Sequence, residues 1–211
     1  KLNDGLPAVF VASDVGGTAV MTDVYAVVDG QLTNIAVSAD SGTSIQTMRN
    51  YYIYADDIDN DGILELPALV ESPPLQETQE QLHVIRWYAL NSDGTAVDKE
   101  YTYHDLAGGW YIQLERNLAP RFTVEKKGNS YEFSLWDPEF TKSEKLMTLF
   151  VFTGQKREEQ AVADNRFVAR RTESSVYAVK LEAAASVYGI SQSSIISGFH
   201  LIVQEWNTGL T

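Results

Sequence analysis

A short acidic segment, DDIDNDGILELP at residues 56–67, constrains the fold of this chain more than any other feature. It places acidic residues at alternate positions, then a glycine and, three residues after it, a further acidic residue: Asp57, Asp59, Asp61, Gly62 and Glu65. In a tight loop, alternate carboxylates can converge on one point, and glycine permits the sharp bend that this requires. Oxygen ligands at this spacing suit a hard cation, so the segment predicts a cation-binding loop.

Two other interpretations of the segment compete with this one. An EF-hand loop beginning at Asp57 would need a bidentate Glu at its last position, where this chain has Ala68, so the EF-hand is excluded. A solvated acidic turn is the remaining alternative, because Asp, Asn and Gly favour turns without any metal. Three alternating carboxylates without a counter-cation would repel one another, which favours the metal. Its role would be structural.

Composition bounds the class of protein. The 211 residues allow one large domain or two small ones, and 44% hydrophobic with 11% aromatic residues are enough to build packed cores. The formal net charge of -13 argues against nucleic acid as a partner, because phosphate binding needs a basic face. It also disfavours adsorption to anionic membranes.

Cysteine usage and the chain start bear on localisation. Disulfides, zinc–thiolate sites and thiol nucleophiles are excluded, because the chain has no cysteine. This usage fits an exported bacterial protein that avoids disulfides, and it also fits many cytosolic proteins. No apolar run reaches the roughly 18 residues of a membrane-spanning helix, so no transmembrane segment is predicted. The chain begins at Lys1 rather than at a methionine, which indicates that it has been trimmed, and any signal peptide or lipid anchor would have been removed with the missing segment.

Strand-forming runs and turn residues predict hairpins in the first half of the chain. One hairpin turns at Asp29-Gly30, a second turns at residues 91–94, and between them one strand enters the acidic loop and another leaves it. A proline-containing surface linker is expected over residues 71–80. The predicted strands are Ala8–Ser13, Ala19–Val28, Gln31–Ser38, Asn50–Ala55, Ile63–Val70, Gln81–Leu90 and Thr95–Tyr103.

The second half of the chain alternates strands with two helices. A short exposed helix is predicted over residues 155–165, and Ser193-Ser194 can cap a second helix over 195–206. In the second helix, Ile195, Phe199, Ile202 and Trp206 share one face, which predicts packing on a sheet. The strands are Trp110–Glu115, Arg121–Lys126, Ser130–Trp136, Lys145–Thr153 at the centre, Arg166–Arg170 and Ser175–Leu181. The expected fold is α+β and β-rich, with a C-terminal helix packed on an antiparallel sheet.

The strand pair around the acidic loop resembles the calcium loop of FG-GAP/VCBS repeats, which occur in integrin-type β-propellers. With residues 109–114, 122–124 and 149–152 (GWYIQL, FTV and LFVF), the chain is similar to exported clostridial proteins of unknown function. In those proteins a VCBS-like β segment precedes a domain similar to the PsbP/Mog1 α/β sandwich. The chain has one such loop rather than several, which argues against a complete propeller.

The resemblance implies a domain organisation and a ligand set. It implies a propeller-blade-like antiparallel β segment over residues 1–108 and a PsbP/Mog1-like α/β sandwich over 109–211. It also implies a structural calcium ion held by Asp57, Asp59, Asp61, the Ile63 carbonyl and Glu65.

Other chemistry-bearing residues form no recognisable constellation. The three histidines, His83, His104 and His200, lack the spacing of metal ligands, so packing or surface roles are favoured. No GxSxG motif occurs, and Ser197-Gly198 falls inside the predicted last helix rather than on a strand-to-helix turn. No phosphate-binding glycine motif occurs either.

Aromatic residues crowd the middle of the chain. Nine residues form this group: Tyr51, Tyr52, Tyr54, Trp87, Tyr88, Tyr101, Tyr103, Trp110 and Tyr111. An exposed sheet face of such residues could stack on sugar rings or grip a peptide. Core filling is favoured instead, because aromatics are common strand residues and alternate strand positions point inward.

These observations predict a non-enzymatic, exported interaction or scaffold module, attached to the cell surface, with protein or carbohydrate as its partner. A carbohydrate- or peptide-binding module that uses the aromatic face is the alternative. A hydrolase is the second alternative, because a cleft built from distant residues cannot be seen in the sequence.

Overall fold

The computed structural model describes residues 1–70, 84–139 and 141–202. It contains three antiparallel sheets and a helix near the C-terminal end, which confirms the predicted α+β, β-rich class. The predicted linker over 71–80 lies outside the described residues. Two compact units are present: Lys1–Leu69 with Ile85–Tyr101 form the first, and Val70, Val84 and Thr102–Ile202 belong to the second.

The first unit contains a three-stranded sheet and the strands that follow the acidic loop. Its elements are β1 (Ala8–Val15), β2 (Ala19–Val28), β3 (Gln31–Asn34), a 3-10 helix (Ile45–Thr47), β4 (Leu66–Leu69), β5 (Val84–Leu90) and the first part of β6 (Ala96–Asp105). Strand β2 is central between β1 and β3, and β4 and β6 flank β5. A buried cluster forms the core of this unit: Leu2, Val24, Ala26, Ile35, Leu66, Tyr88 and Leu90.

The Asp29-Gly30 hairpin is confirmed. Both turn residues have positive φ angles, 51° and 78°, which is the conformation of a two-residue turn that matches the twist of its strands. Strand β2 then alternates half-buried and buried residues from Ala19 to Ala26, as expected for a strand with one face on a core. Strand β3 ends at Asn34, four residues before the predicted end at Ser38.

The predicted strand over Asn50–Ala55 is wrong. Tyr51 and Ile53 are buried and Tyr52 is exposed, so the side chains alternate as in a strand, but the segment joins none of the sheets formed by the described residues. The Ile53 carbonyl accepts a hydrogen bond from Nε of the buried Arg49 side chain. Burial, rather than strand pairing, therefore explains why the segment is rich in β-forming residues.

The second unit contains a five-stranded sheet in which β10 is central, as predicted. Its order is β11-β12-β10-β9-β8. The elements are the end of β6, β7 (Trp110–Gln113), a 3-10 helix (Ala119–Arg121), β8 (Phe122–Lys127), β9 (Ser130–Trp136), β10 (Ser143–Thr153), α1 (Arg157–Val162), β11 (Phe167–Arg171), β12 (Ser175–Leu181), a 3-10 helix (Ala183–Tyr188), α2 (Gln192–Gly198) and β13 (Phe199–Leu201). The predicted helix over 155–165 is confirmed as the shorter α1.

An aromatic layer joins β7 and β13 to the five-stranded sheet. The Trp110 ring lies 5.0 Å from that of Tyr131 on β9 and 5.5 Å from that of Phe199 on β13. Phe199 in turn lies 5.0 Å from Tyr177 on β12. Helix α1 packs on the sheet through Ala161, which belongs to a buried cluster with Phe152 and Val176.

The predicted helix over 195–206 is wrong in its bounds. Helix α2 begins after Ser191, whose hydroxyl accepts a hydrogen bond from the Ser194 amide in a capping box, and it ends at Gly198. Phe199 is extended, and Phe199–Leu201 pairs with Trp110–Ile112 as a strand. The β-forming run after Gly198 therefore prevails over the helical spacing. Trp206 lies outside the described residues.

We expect Trp110→Ala to lower the free energy of unfolding by roughly 3–5 kcal/mol, because it empties a fully buried site in the aromatic layer. Urea denaturation followed by circular dichroism measures this change. Val187→Ala is the control: Val187 is 80% exposed, so its effect should stay within about 0.5 kcal/mol. Equal stability of the Trp110→Ala variant and the wild type would contradict the packing of this layer.

Candidate metal site

The acidic loop is closed at its base by backbone hydrogen bonds. Asp56 and Glu65 exchange them in both directions, with N···O distances of 3.1 and 2.8 Å. Between these two residues, Asn60 and Gly62 have φ angles of 62° and 83°, a left-handed conformation that asparagine and glycine adopt readily. The predicted bend at Gly62 is therefore present.

Loop amides hold the three alternate aspartates in place. The carboxylate of Asp57 accepts from the Gly62 amide at 3.0 Å, that of Asp59 from the Asp61 amide at 3.1 Å, and that of Asp61 from the Ile63 amide at 2.8 Å. One carboxylate oxygen of each aspartate lies within 4.8 Å of those of the other two. The predicted convergence of Asp57, Asp59 and Asp61 is thus found in the structure.

Glu65, the fourth predicted carboxylate ligand, lies buried at the base of the loop, but in the described part of the chain the group of converging oxygens consists of the three aspartates without Glu65. Its side chain is fully buried, and Oε2 accepts a hydrogen bond from the Ile58 amide at 3.2 Å. Among the described residues, the second oxygen, Oε1, has no hydrogen-bond partner, and neither has the buried Oδ1 of Asp57. Burying an oxygen without a hydrogen-bond donor costs free energy, and a bound cation would offset that cost.

The pKa of Glu65 is raised to about 7, mainly by burial; the Ile58 hydrogen bond opposes the rise, and the negative charges of Asp59 and Asp61 contribute to it. The carboxylate therefore resists ionisation when no cation is bound. The charges of Asp59 and Asp61 affect the pKa of Glu65, so its carboxylate interacts electrostatically with these two aspartates.

A lysine from another part of the chain contacts the acidic loop. Lys99, on β6, lies with Nζ 2.7 Å from Oδ2 of Asp61. Its hydrogen bond is the main reason that the pKa of the Asp61 carboxyl is lowered. Lys99 could not be identified from the sequence, because it is 38 residues from Asp61 and belongs to no motif. Ile63, predicted to ligate through its carbonyl, is half-buried at the end of the loop.

The other predicted features lie away from this loop in the sequence. The rings of His104 on β6 and His200 on β13 both stack on the ring of Tyr111 on β7, with centroid distances of 4.8 and 4.9 Å. In the described part of the chain, the only group of three or more potential metal ligands is the aspartate triad, so these histidines join no such group. His83 lies outside the described residues.

The aromatic residues fill the cores rather than form an exposed face. Six of the nine are buried: Tyr51, Trp87, Tyr88, Tyr101, Tyr103 and Trp110. Tyr52 is 42% exposed, and its hydroxyl donates to Asp14. Core filling therefore explains most of the aromatic cluster in the sequence.

Comparison with known proteins found no matching family model, no matching curated protein and no matching solved structure. The resemblance to VCBS-like and PsbP/Mog1-like domains, and the domains over 1–108 and 109–211, stay predictions. None of the helices in residues 1–70, 84–139 and 141–202 is long and apolar enough to cross a bilayer.

The raised pKa of Glu65 predicts a pH dependence of the metal-free protein. Because the folded state holds the Glu65 proton more tightly than the unfolded chain does, this contribution to stability is present below pH 4.5 and is lost as the pH rises to about 7. We expect a loss of at most roughly 3 kcal/mol from this residue. Urea unfolding at several pH values in the presence of a chelator measures it.

Glu65→Gln should remove this loss, because the amide cannot ionise. Glu173→Gln, at an exposed position in the second unit, is the matched control and should keep the wild-type pH profile. If the Glu65→Gln variant lost as much stability as the wild type between about pH 5 and pH 7, Glu65 would not be the titrating group.

Proposed function

We propose that this chain is a non-enzymatic interaction or scaffold module, exported to the cell surface, whose first unit is stabilised by a calcium ion. The ion would be held by Asp57, Asp59, Asp61, Glu65 and the Ile63 carbonyl. The observation that carries the proposal is the convergence of the three aspartate carboxylates within the loop. It is supported by Glu65 at the base of the loop, which is fully buried and whose Oε1 has no hydrogen-bond partner in the described part of the chain.

The donor atoms favour calcium over other cations. All the proposed donors are oxygens, which suit hard cations, whereas zinc is usually bound through nitrogen or sulfur. Magnesium requires near-ideal octahedral geometry and usually keeps several waters. A loop in which three aspartate carboxylates converge fits the larger and more variable coordination of calcium.

A structural role follows from where the loop lies in the chain. Glu65 directly precedes β4, whose first residue, Leu66, is part of the buried core of the first unit. A cation that binds Glu65 and the triad would therefore fix the start of β4. Stabilising a core in this way requires no open coordination position for a substrate.

A calcium site of low affinity would fit a protein exported to the cell surface. Calcium sites of extracellular modules typically have dissociation constants of about 10⁻⁴–10⁻³ M. The absence of cysteine and the net charge of -13 agree with such a setting. The acidic balance argues against nucleic acid as a partner, which leaves a protein or a carbohydrate at the cell surface.

A protein partner is favoured over a sugar. Sugar recognition by stacking needs exposed aromatic rings, and six of the nine central aromatic residues are buried. The proposal therefore does not depend on an aromatic binding face.

Calcium titration tests the proposal directly. We expect calcium to bind the wild type with a measurable heat and to raise its melting temperature in a dose-dependent way, because binding to the folded state alone stabilises it. Asp59→Ala should abolish or strongly weaken both effects, since it removes a carboxylate of the triad.

Asp40→Ala is the matched control. Asp40 is exposed in a different loop of the first unit, so its removal should leave calcium binding unchanged. Absence of any calcium response in the wild type would show that the loop is an acidic turn and would overturn the proposal. Equal responses of the wild type and Asp59→Ala would place the calcium elsewhere.

A further inference from the structure

Lys99 already supplies a positive charge to the proposed calcium loop. Its Nζ lies 2.7 Å from Oδ2 of Asp61, and its side chain is only 17% exposed. The pKa of Lys99 is raised, first by the hydrogen bond to Asp61 and then by the charges of Asp61, Asp59 and Glu65. The ammonium group therefore lies in the field of three of the four carboxylates of the loop.

The Lys99 ammonium group and a bound cation would compete for the carboxylate of Asp61. Asp61 offers two oxygens: Oδ1 accepts from the Ile63 amide, and Oδ2 accepts from Lys99. A divalent cation at the triad would draw on the same carboxylate and would lie close to a like charge. The calcium affinity of such loops depends on how much negative charge the ligands carry.

We propose that Lys99 is the affinity-determining residue of the acidic loop, an internal counter-cation that competes with calcium for Asp61 and keeps calcium binding weak. This inference rests on the proposed function of the loop as a calcium site. It assigns a role to a residue of β6 that is not one of the proposed ligands.

The competition has a consequence for the metal-free protein. Without calcium, Lys99 offsets part of the repulsion among the carboxylates, so the loop keeps its fold. Removing the charge should destabilise the metal-free protein and, at the same time, strengthen calcium binding. These opposite effects distinguish a competing cation from a merely structural ion pair, whose loss would not strengthen binding.

Calorimetric titration of the full chain with calcium chloride tests the inference on three variants. Lys99→Met keeps an unbranched side chain of nearly the same length and removes the charge, whereas Lys99→Arg keeps the charge. Lys145→Met is the control, because it breaks a comparable ion pair, the 3.0 Å contact of Lys145 with Glu132 in the second unit. Circular dichroism of each variant checks that it is folded.

We expect the wild type to bind calcium with a dissociation constant of about 10⁻⁴–10⁻³ M and Lys99→Met to bind about ten-fold or more tightly than that. Lys99→Arg and Lys145→Met should bind like the wild type. In a chelator, Lys99→Met should melt below the wild type, and saturating calcium should remove or reverse that deficit.

The possible results separate the two proposals. If the wild type binds calcium and Lys99→Met binds equally or more weakly, the inference about Lys99 is overturned and the calcium site stands. If only Lys99→Met binds calcium, the wild-type loop is not a calcium site and the proposed function is overturned. The same result supports the inference that Lys99 opposes the cation. If neither binds, both proposals are overturned.

Discussion

The balance of charge in the acidic loop is the constraint on which the first unit depends. Glu65 is fully buried at the base of the loop, where it pairs through its backbone with Asp56 and leads directly into β4. Its carboxylate cannot be moved to solvent without opening that base, so its charge must be neutralised where it lies. Protonation, the Lys99 ammonium group and a bound cation are the three ways of doing so, and each leaves a different measurable trace.

The loop was the most predictable part of the site, for a physical reason. Its geometry is local: each aspartate accepts a hydrogen bond from an amide two to five residues later, so spacing in the sequence translates into convergence in space. Ile58 could also be understood from the sequence, since an apolar residue inside a polar loop anchors it, and Ile58 is 4% exposed. Lys99 could not be predicted, because its position depends on how β6 is placed beside the loop.

The difference between local and long-range contacts also explains which parts of the fold could be predicted from the sequence. The hairpin at Asp29-Gly30 is specified by two residues that tolerate positive φ, so sequence is enough. The segment over 50–55 has the composition of a strand, yet whether it pairs depends on a free neighbouring edge, and the segment instead supplies a carbonyl to Arg49. The chain after Gly198 has both helical spacing and β-forming residues, and the available edge of β7 decides between them.

The position of the loop also limits what a bound cation could do. Leu66, next to Glu65, is 1% exposed and packs in one cluster with Tyr88 of β5 and Val24 of β2. Binding or loss of a cation in the loop would therefore first affect the core of the first unit, through the start of β4. A cation coupled to a core in this way acts on stability, and any effect on a partner would follow from how firmly the first unit is folded. If the loop binds calcium, Lys99 would adjust that coupling, because it would support the metal-free loop and oppose the cation.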